Sequence, residues 1–225
     1  MRSRILVLLA LCSLVSPAQA QTFTSMSAWL AQAGLPTYTE TFESVPVAKE
    51  VAHTSFTQAG ITYVANPGFN VIVAAPGHTN FGAGLNPTTT SILSGNGLES
   101  FRAVFSIPEY AVGFDAYYNG LGNATATFFN GASVLATISY NGPAFLGFDG
   151  YIADSNAPVT SIEWVSTQGN QLNTGIDNLM VSSNDLTTTP EPASLILLAT
   201  GLAGIAVGRR RRSGDLQAIE ETPRR

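Results

Sequence analysis

"FRAVFSIPEYAVGFDAYYNGLGNATATFFNGASVLATISY", residues Phe101 to Tyr140, decides the fold. Phe101, Ala103, Phe105 and Ile107 alternate with Arg102, Val104 and Ser106, the period-two pattern of a strand with one face toward a core. Tyr110 to Tyr118, Ala124 to Asn130 and Ser133 to Tyr140 continue as strands. Asn119-Gly120 through Asn123 and Asn130-Gly131 supply turns of the hairpin type between them. Short strands joined by tight turns pair antiparallel.

The same signal extends in both directions. Ala144 to Ala153, Val159 to Ser166 and Gly175 to Ser182 follow as strands, and in the second Ile162 and Trp164 share one face while Ser161 and Glu163 take the other. Upstream, Thr37 to Glu43, Gly60 to Ala65 and Asn70 to Ala74 read as strands. Pro76 to Gly97, rich in Gly, Pro, Asn and Thr, reads as an irregular excursion with one short strand at Ser91 to Leu93. Ser27 to Gly34 reads as a single short helix with Ser27 as N-cap and Gly34 as its stop. About ten strands at ~8–15-residue spacing predict an all-β protein, an antiparallel sandwich of jelly-roll type with one N-terminal helix.

Charge narrows the partners. Residues 21–185 hold eleven acidic side chains against two basic ones, Lys49 and Arg102, a net charge of −9. Such a body has no electrostatic footprint for a phosphate backbone, so nucleic acid is excluded as a partner. Neutral polysaccharide, or an acidic one bridged by calcium, fits the balance. The only cysteine is Cys12, which excludes disulfide staples and thiol catalysis in a body that begins after it.

The ends of the chain set its address. Arg2 and Arg4, the apolar run Ile5 to Leu14 and the small-x-small Ala18-Gln19-Ala20 compose a cleavable signal peptide over residues 1–20. At the other end Pro190-Glu191-Pro192 precedes sixteen uncharged residues, Ala193 to Gly208, and then Arg209, Arg210, Arg211 and Arg212. As a helix that run spans roughly 24 Å, so it crosses a ~30 Å hydrocarbon core only with arginine snorkelling or local thinning. The positive-inside bias keeps the arginines cytoplasmic and the body outside.

Pro-Glu-Pro, apolar helix and arginine cluster, in that order, resemble the PEP-CTERM sorting signal of Gram-negative bacteria. The resemblance implies an integral-membrane exosortase that recognises the Pro-Glu-Pro stretch and processes the tail. It also implies a setting of exopolysaccharide synthesis and biofilm. The expected organisation is a signal peptide (1–20), a sandwich ectodomain (21–185), a sorting signal with a single membrane-spanning helix (186–212) and a polar tail (213–225). That tail, SGDLQAIEETPRR, is longer than the few residues with which such signals usually end.

A looser resemblance covers residues 23–181, where "FTSMSAWL", "TYTETFE", "GITY", "APVTSIEW" and "GIDNLMV" are similar to the jelly-roll ectodomains common in PEP-CTERM proteins. It implies an architecture like that of carbohydrate-binding modules, and a structural Ca²⁺ between the first and last strands, with Glu43 and Asp177 as ligands. From the residues themselves, sugar stacking calls for exposed rings beside polar groups. Tyr117, Tyr118 and Tyr151 are the candidates, the alternative being that such tyrosines belong to the core.

Catalytic signatures are absent. His53 and His78 lie in polar stretches without HExxH or HxH spacing, and neither GxSxG nor a phosphate-binding loop occurs. The carboxylate pairs Glu40/Glu43, Asp149/Asp154 and Glu163/Asp177 are compatible in residue type with glycoside hydrolysis, but sequence spacing does not set the ~5–10 Å separation it needs. The sequence therefore predicts a non-catalytic envelope or matrix protein. A glycan-specific module, or a polysaccharide-active enzyme, are the competing classes.

Overall fold

The computed structural model describes residues 20–45, 50–65, 67–77, 90–95, 99–167 and 174–183. Residues 1–19 of the expected signal peptide, His78, Pro190-Glu191-Pro192, the apolar run and the arginine cluster lie outside them. No helix among the described residues is long and apolar enough to cross a membrane.

In chain order the elements are β1 (Gln21–Phe23), α1 (Met26–Ala33), β2 (Tyr38–Glu40), β3 (Glu50–His53), β4 (Ser55–Gln58), β5 (Ile61–Ala65), β6 (Val71–Ala74) and β7 (Ile92–Gly95). The regular half follows as β8 (Phe101–Glu109), β9 (Ala111–Tyr118), β10 (Ala124–Asn130), β11 (Ser133–Tyr140), β12 (Phe145–Ile152), β13 (Val159–Ser166) and β14 (Gly175–Ser182). They form two antiparallel sheets. One runs β1-β12-β9-β14-β7-β6-β3 with β2 also on β14; the other runs β11-β10-β13-β8-β5-β4. The protein is a jelly-roll-like β-sandwich.

The alternation in Phe101–Tyr140 builds the core. Phe101, Ala103 and Phe105 point inward from β8, and Phe128, Ile162 and Trp164 join them from β10 and β13. From the other sheet come Val112, Phe114, Ala116, Tyr151, Ile176, Leu179 and Val181. Phe114 meets Trp164 edge-on at 6.4 Å, and Phe128 meets Tyr151 at 5.0 Å. Ile107 departs from the expectation: it is 62 % exposed, because the β8–β13 ladder shifts between Val159 and Ser161 near the strand's end.

The helix starts two residues earlier than the sequence predicts. Ser25, not Ser27, is the N-cap, its Oγ accepting from the Ala28 N–H at 3.5 Å. Gly34 ends the helix with φ +73°, donating to the Leu30 carbonyl at 2.9 Å. The helix packs Trp29, fully buried, over the paired glycines Gly113 and Gly150 of β9 and β12. A Cβ on Gly150 would lie 2.8 Å from Trp29 Cδ1 and 2.9 Å from Phe148 Cζ. The glycines are therefore the seat of the indole. Phe23, Ala33, Ala111, Phe148, Ile152 and Met180 complete this second cluster.

The Thr37–Glu43 strand shortens to β2. Glu40, almost wholly buried, turns its Oε1 back to accept from the Phe42 N–H at 2.7 Å, and Phe42 adopts φ +57°. A left-handed residue ends the pleat. Three strands escaped the sequence pattern, β1, β3 and β4, each of only three or four residues.

Candidate functional site

Four segments converge around Asp177. In β14 the register with β9 shifts between Asp177 and Met180, and Asn178 takes φ +47°. Asn tolerates that left-handed conformation better than most residues, and the resulting bulge re-aims its neighbour. Asp177 becomes fully buried, with Oδ1 accepting from the Asn178 N–H at 2.6 Å. The Asn178 amide donates onward to Asp115 Oδ2 on β9 at 2.7 Å.

Glu43, in the turn after β2, is tied to the segment before β7. Its Oε1 accepts from the Ser91 N–H at 2.6 Å and its Oε2 from the Ser91 hydroxyl at 3.2 Å. Thr90 then joins the halves. Its Oγ1 lies 2.5 Å from Asp177 Oδ2 and 3.2 Å from Glu43 Oε1. One hydroxyl carries one proton, so it satisfies only one of the two carboxylates at a time. Burial raises the Asp177 carboxyl to about 6; the Thr90 and Asn178 hydrogen bonds pull the other way, and the charges of Asp115 and Glu43 add to the rise. The expected Glu43 and Asp177 are thus brought together.

This donor set is all oxygen and amide, the chemistry of a hard cation such as calcium, which takes six to eight oxygens at about 2.3–2.6 Å. Among the described residues, however, no group of three or more His, Cys, Asp or Glu side chains is arranged to hold a metal. The residues suit a calcium ion in kind and fall short in number. Thr90 and Asp115 were not singled out in the sequence. Thr90 sits in a run of threonines with no distinguishing mark, whereas an aspartate between Phe114 and Ala116 is itself a signal.

The three tyrosines expected to form a glycan platform are core residues, and this corrects the expectation. Tyr117 is 7 %, Tyr118 1 % and Tyr151 3 % exposed. Tyr117 packs with Ala74 and Ile92, and burial, with Asp177 and Asp115 nearby, raises its hydroxyl to about 12. The Tyr118 hydroxyl donates to the Gly122 carbonyl at 2.6 Å. Tyr151 lies against Phe128. Consecutive Tyr117 and Tyr118 point to opposite faces, but both faces are covered.

The remaining carboxylates are dispersed. Glu40 accepts from Tyr38 at 2.7 Å and from Phe42, Asp149 accepts from Tyr140 at 2.7 Å, and Glu163 pairs with Arg102 at 3.4 Å. Glu163 and Asp177 stand on different sheets. Asp154 bonds within its own turn, to the Asn156 N–H at 2.9 Å.

The outer face of the six-stranded sheet is the other feature. Register aligns Thr137, Thr127, Glu163, Arg102 and Val64 in one row, and Val134, Phe129, Ser161, Val104 and Thr62 in the next. Thr127 and Thr137 are linked at 3.3 Å and Thr57 and Thr62 at 3.0 Å. The Arg102 guanidinium lies 5.0 Å from the Phe129 ring centroid. The face mixes threonine hydroxyls with the apolar Val64, Val104, Phe129 and Val134 and carries one internally neutralised ion pair.

Residues 188–212 match the PEP-CTERM protein-sorting motif. The chain therefore carries an exosortase sorting signal, which implies export and membrane anchoring before processing. No curated protein sequence matches the chain. Among solved structures, the K2 cleaved adhesin domain of Lys-gingipain aligns at 13 % identity over 65 % of this chain and 98 % of its own, with TM-score 0.44. The xylan-binding domain of carbohydrate-binding module family 22 aligns at 14 % identity over 69 % and 98 %, with TM-score 0.38. A family 29 carbohydrate-binding module aligns at 13 % over 75 % and 95 %, with TM-score 0.31.

Proposed function

We propose that this chain is a non-catalytic component of the cell envelope or extracellular matrix, released from the inner membrane by an exosortase and associated with exopolysaccharide. The sorting motif at 188–212 carries the reading. Pro190, Glu191 and Pro192 are the recognition stretch, and Arg209, Arg210, Arg211 and Arg212 hold the cytoplasmic side while the body, residues 21–185, faces outward. Expression in hosts with and without the exosortase tests it. A shortened, membrane-free chain only in the first host is expected, and Glu191→Ala should block the shortening. The same size and location in both hosts would sink the reading.

A second reading is a module with a specific glycan ligand, favoured by the threonine hydroxyls of the outer face. Thr57, Thr62, Thr127 and Thr137 present directional partners for sugar hydroxyls, and Arg102 with Glu163 adds a polar pair at the centre of a face with little other charge. A neutral polysaccharide suits it. Saturable binding on a glycan array, weakened by Arg102→Gln, is expected; no binding to any neutral glycan would exclude it.

For the Glu43–Asp177 pair we propose a structural calcium ion, with both carboxylates as ligands. The ion would supply the positive charge that three neighbouring carboxylates lack. EDTA should then lower the melting temperature, with calcium restoring it. An unchanged melt would assign the cluster to hydrogen bonding alone.

A further inference from the structure

The six-stranded sheet ends on β11, and among the described residues no strand pairs with its outer side. An open edge presents unpaired N–H and C=O groups to any other strand, and natural proteins protect edges with shortness, charge or proline. The other edges follow that practice. β1 has three residues, and β3 and β4 have four each, with Glu50 on β3. β11 does not: its eight residues, SVLATISY, include no charge and no proline, and the only irregularity is a register shift near one end, between Phe128 and Phe129 of its neighbour β10.

Its inward side is also incomplete. Leu135, Ala136 and Ile138 pack against the core yet stay only half-buried. A further strand would cover them. The body's net charge of −9 opposes the approach of two copies in general, but this edge contributes nothing to that repulsion.

We propose that β11 pairs antiparallel with β11 of a second copy of this chain, about a two-fold axis. Residues opposite one another must lie on the same face. In the regular stretch, Ala136, Ile138 and Tyr140 oppose the inward Phe128, Ala126 and Ala124 of β10, while Thr137 and Ser139 oppose the outward Thr127 and Thr125. The register that uses all five residues centres on Ile138. It sets Ala136 against Tyr140 and Thr137 against Ser139, joining the half-buried apolar side chains on one side and the hydroxyl rows on the other. The contact is isologous, so it closes at two copies. A strand of ~26 Å is a small contact by the standards of stable interfaces, so the pairing is reversible.

The full chain supplies the test. Thr137→Cys and Ser139→Cys chains, one of them tagged, are mixed and mildly oxidised. Directly opposed antiparallel residues have Cα atoms ~4.5–5.5 Å apart, inside the range a disulfide spans. Both positions are exposed, and each variant's melting temperature shows that the fold is kept. A mixed covalent dimer is expected, with Thr57→Cys on the β4 edge staying at the background of the unsubstituted chain, which carries Cys12. No mixed dimer above that background overturns the proposal. Sedimentation velocity gives a second readout: a dimer fraction that rises with concentration and is lost in Thr137→Lys. A dimer equally strong in Thr137→Lys, or a monomer at every concentration, overturns it as well.

Discussion

Replacing Asp149 by asparagine isolates the cost of a charge inside this sandwich. Asp149 is 2 % exposed on the core face of β12, its Oδ2 accepting from Tyr140 at 2.7 Å. Burial raises its carboxyl from 3.8 to about 6, although the Tyr140 hydrogen bond opposes the rise. The folded state therefore holds this proton more tightly than the unfolded chain does. The resulting stability is fully present below the unfolded value and is lost as pH rises through about 6. At ~1.4 kcal/mol per pH unit, the loss approaches about 3 kcal/mol by pH 8. Asp177, raised to about 6, and Glu109, raised to about 7 by burial alone, act in the same direction. Urea melts of residues 21–185 should thus show higher stability at pH 5 than at pH 8. In Asp149→Asn the Tyr140 hydroxyl still donates to the amide oxygen, but the new NH₂ needs an acceptor, so a net gain of about 1–2 kcal/mol at pH 8 is expected. Near pH 4, where Asp149 is already neutral, that gain should vanish. Wild-type stability that climbs from pH 5 to pH 8, or a variant equally destabilised at both, would refute the reasoning.

Trp29→Ala should cost about 3–5 kcal/mol in the same urea melts, since it empties the seat that Gly113 and Gly150 form under the indole. Gly150→Ala should cost about 1–3 kcal/mol by overpacking that seat, and a neutral result would show that Trp29 and Phe148 yield freely. Ala59 and Gly60 make the two-residue turn between β4 and β5 with φ of +47° and +81°, a conformation that asks for Asn-Gly. Ala59→Asn should therefore raise stability, by about 1 kcal/mol at most, measured as a higher urea midpoint.

What the sequence discloses here follows the length of each signal. Phe101–Tyr140 carries four strands in four long alternations, so its hairpins and much of its inward face are legible. β1, β3 and β4 are too short for alternation to declare itself, and β3 gains its place only by pairing with β6. The tyrosines show the limit of a period-two argument. Alternation places Tyr117 and Tyr118 on opposite faces, but it does not show that Tyr117 is enclosed with Ala74 and Ile92 of its own sheet while Tyr118 lies in the core. The convergence on Asp177 shows another limit. Glu43, Thr90, Asp115 and Asp177 span more than 130 residues of chain, and the bulge at Asn178 that gathers them leaves no periodic trace.

The polar residues of the sandwich divide by sheet, and the division has a consequence. Most of the strongly perturbed carboxyls, Asp149 and Asp177 among them, belong to the eight-stranded sheet, where they are enclosed and unable to reach a large ligand. On the six-stranded sheet Glu109 is likewise enclosed, and the outer face shows Glu163 paired with Arg102 beside Thr127. We therefore assign the proposed polysaccharide contact to the second sheet. That sheet is also the one with the open edge, and pairing across β11 would set two hydroxyl faces side by side in one continuous surface. Each face alone offers weak, dispersed contacts, but two faces held together engage a polymer as an intramolecular pair. Avidity then rises without any new contact. The proposed self-pairing and the proposed polysaccharide association thus draw on one surface, so a substitution such as Thr137→Lys that opens the dimer should weaken retention on a long polymer far more than binding of a short oligosaccharide.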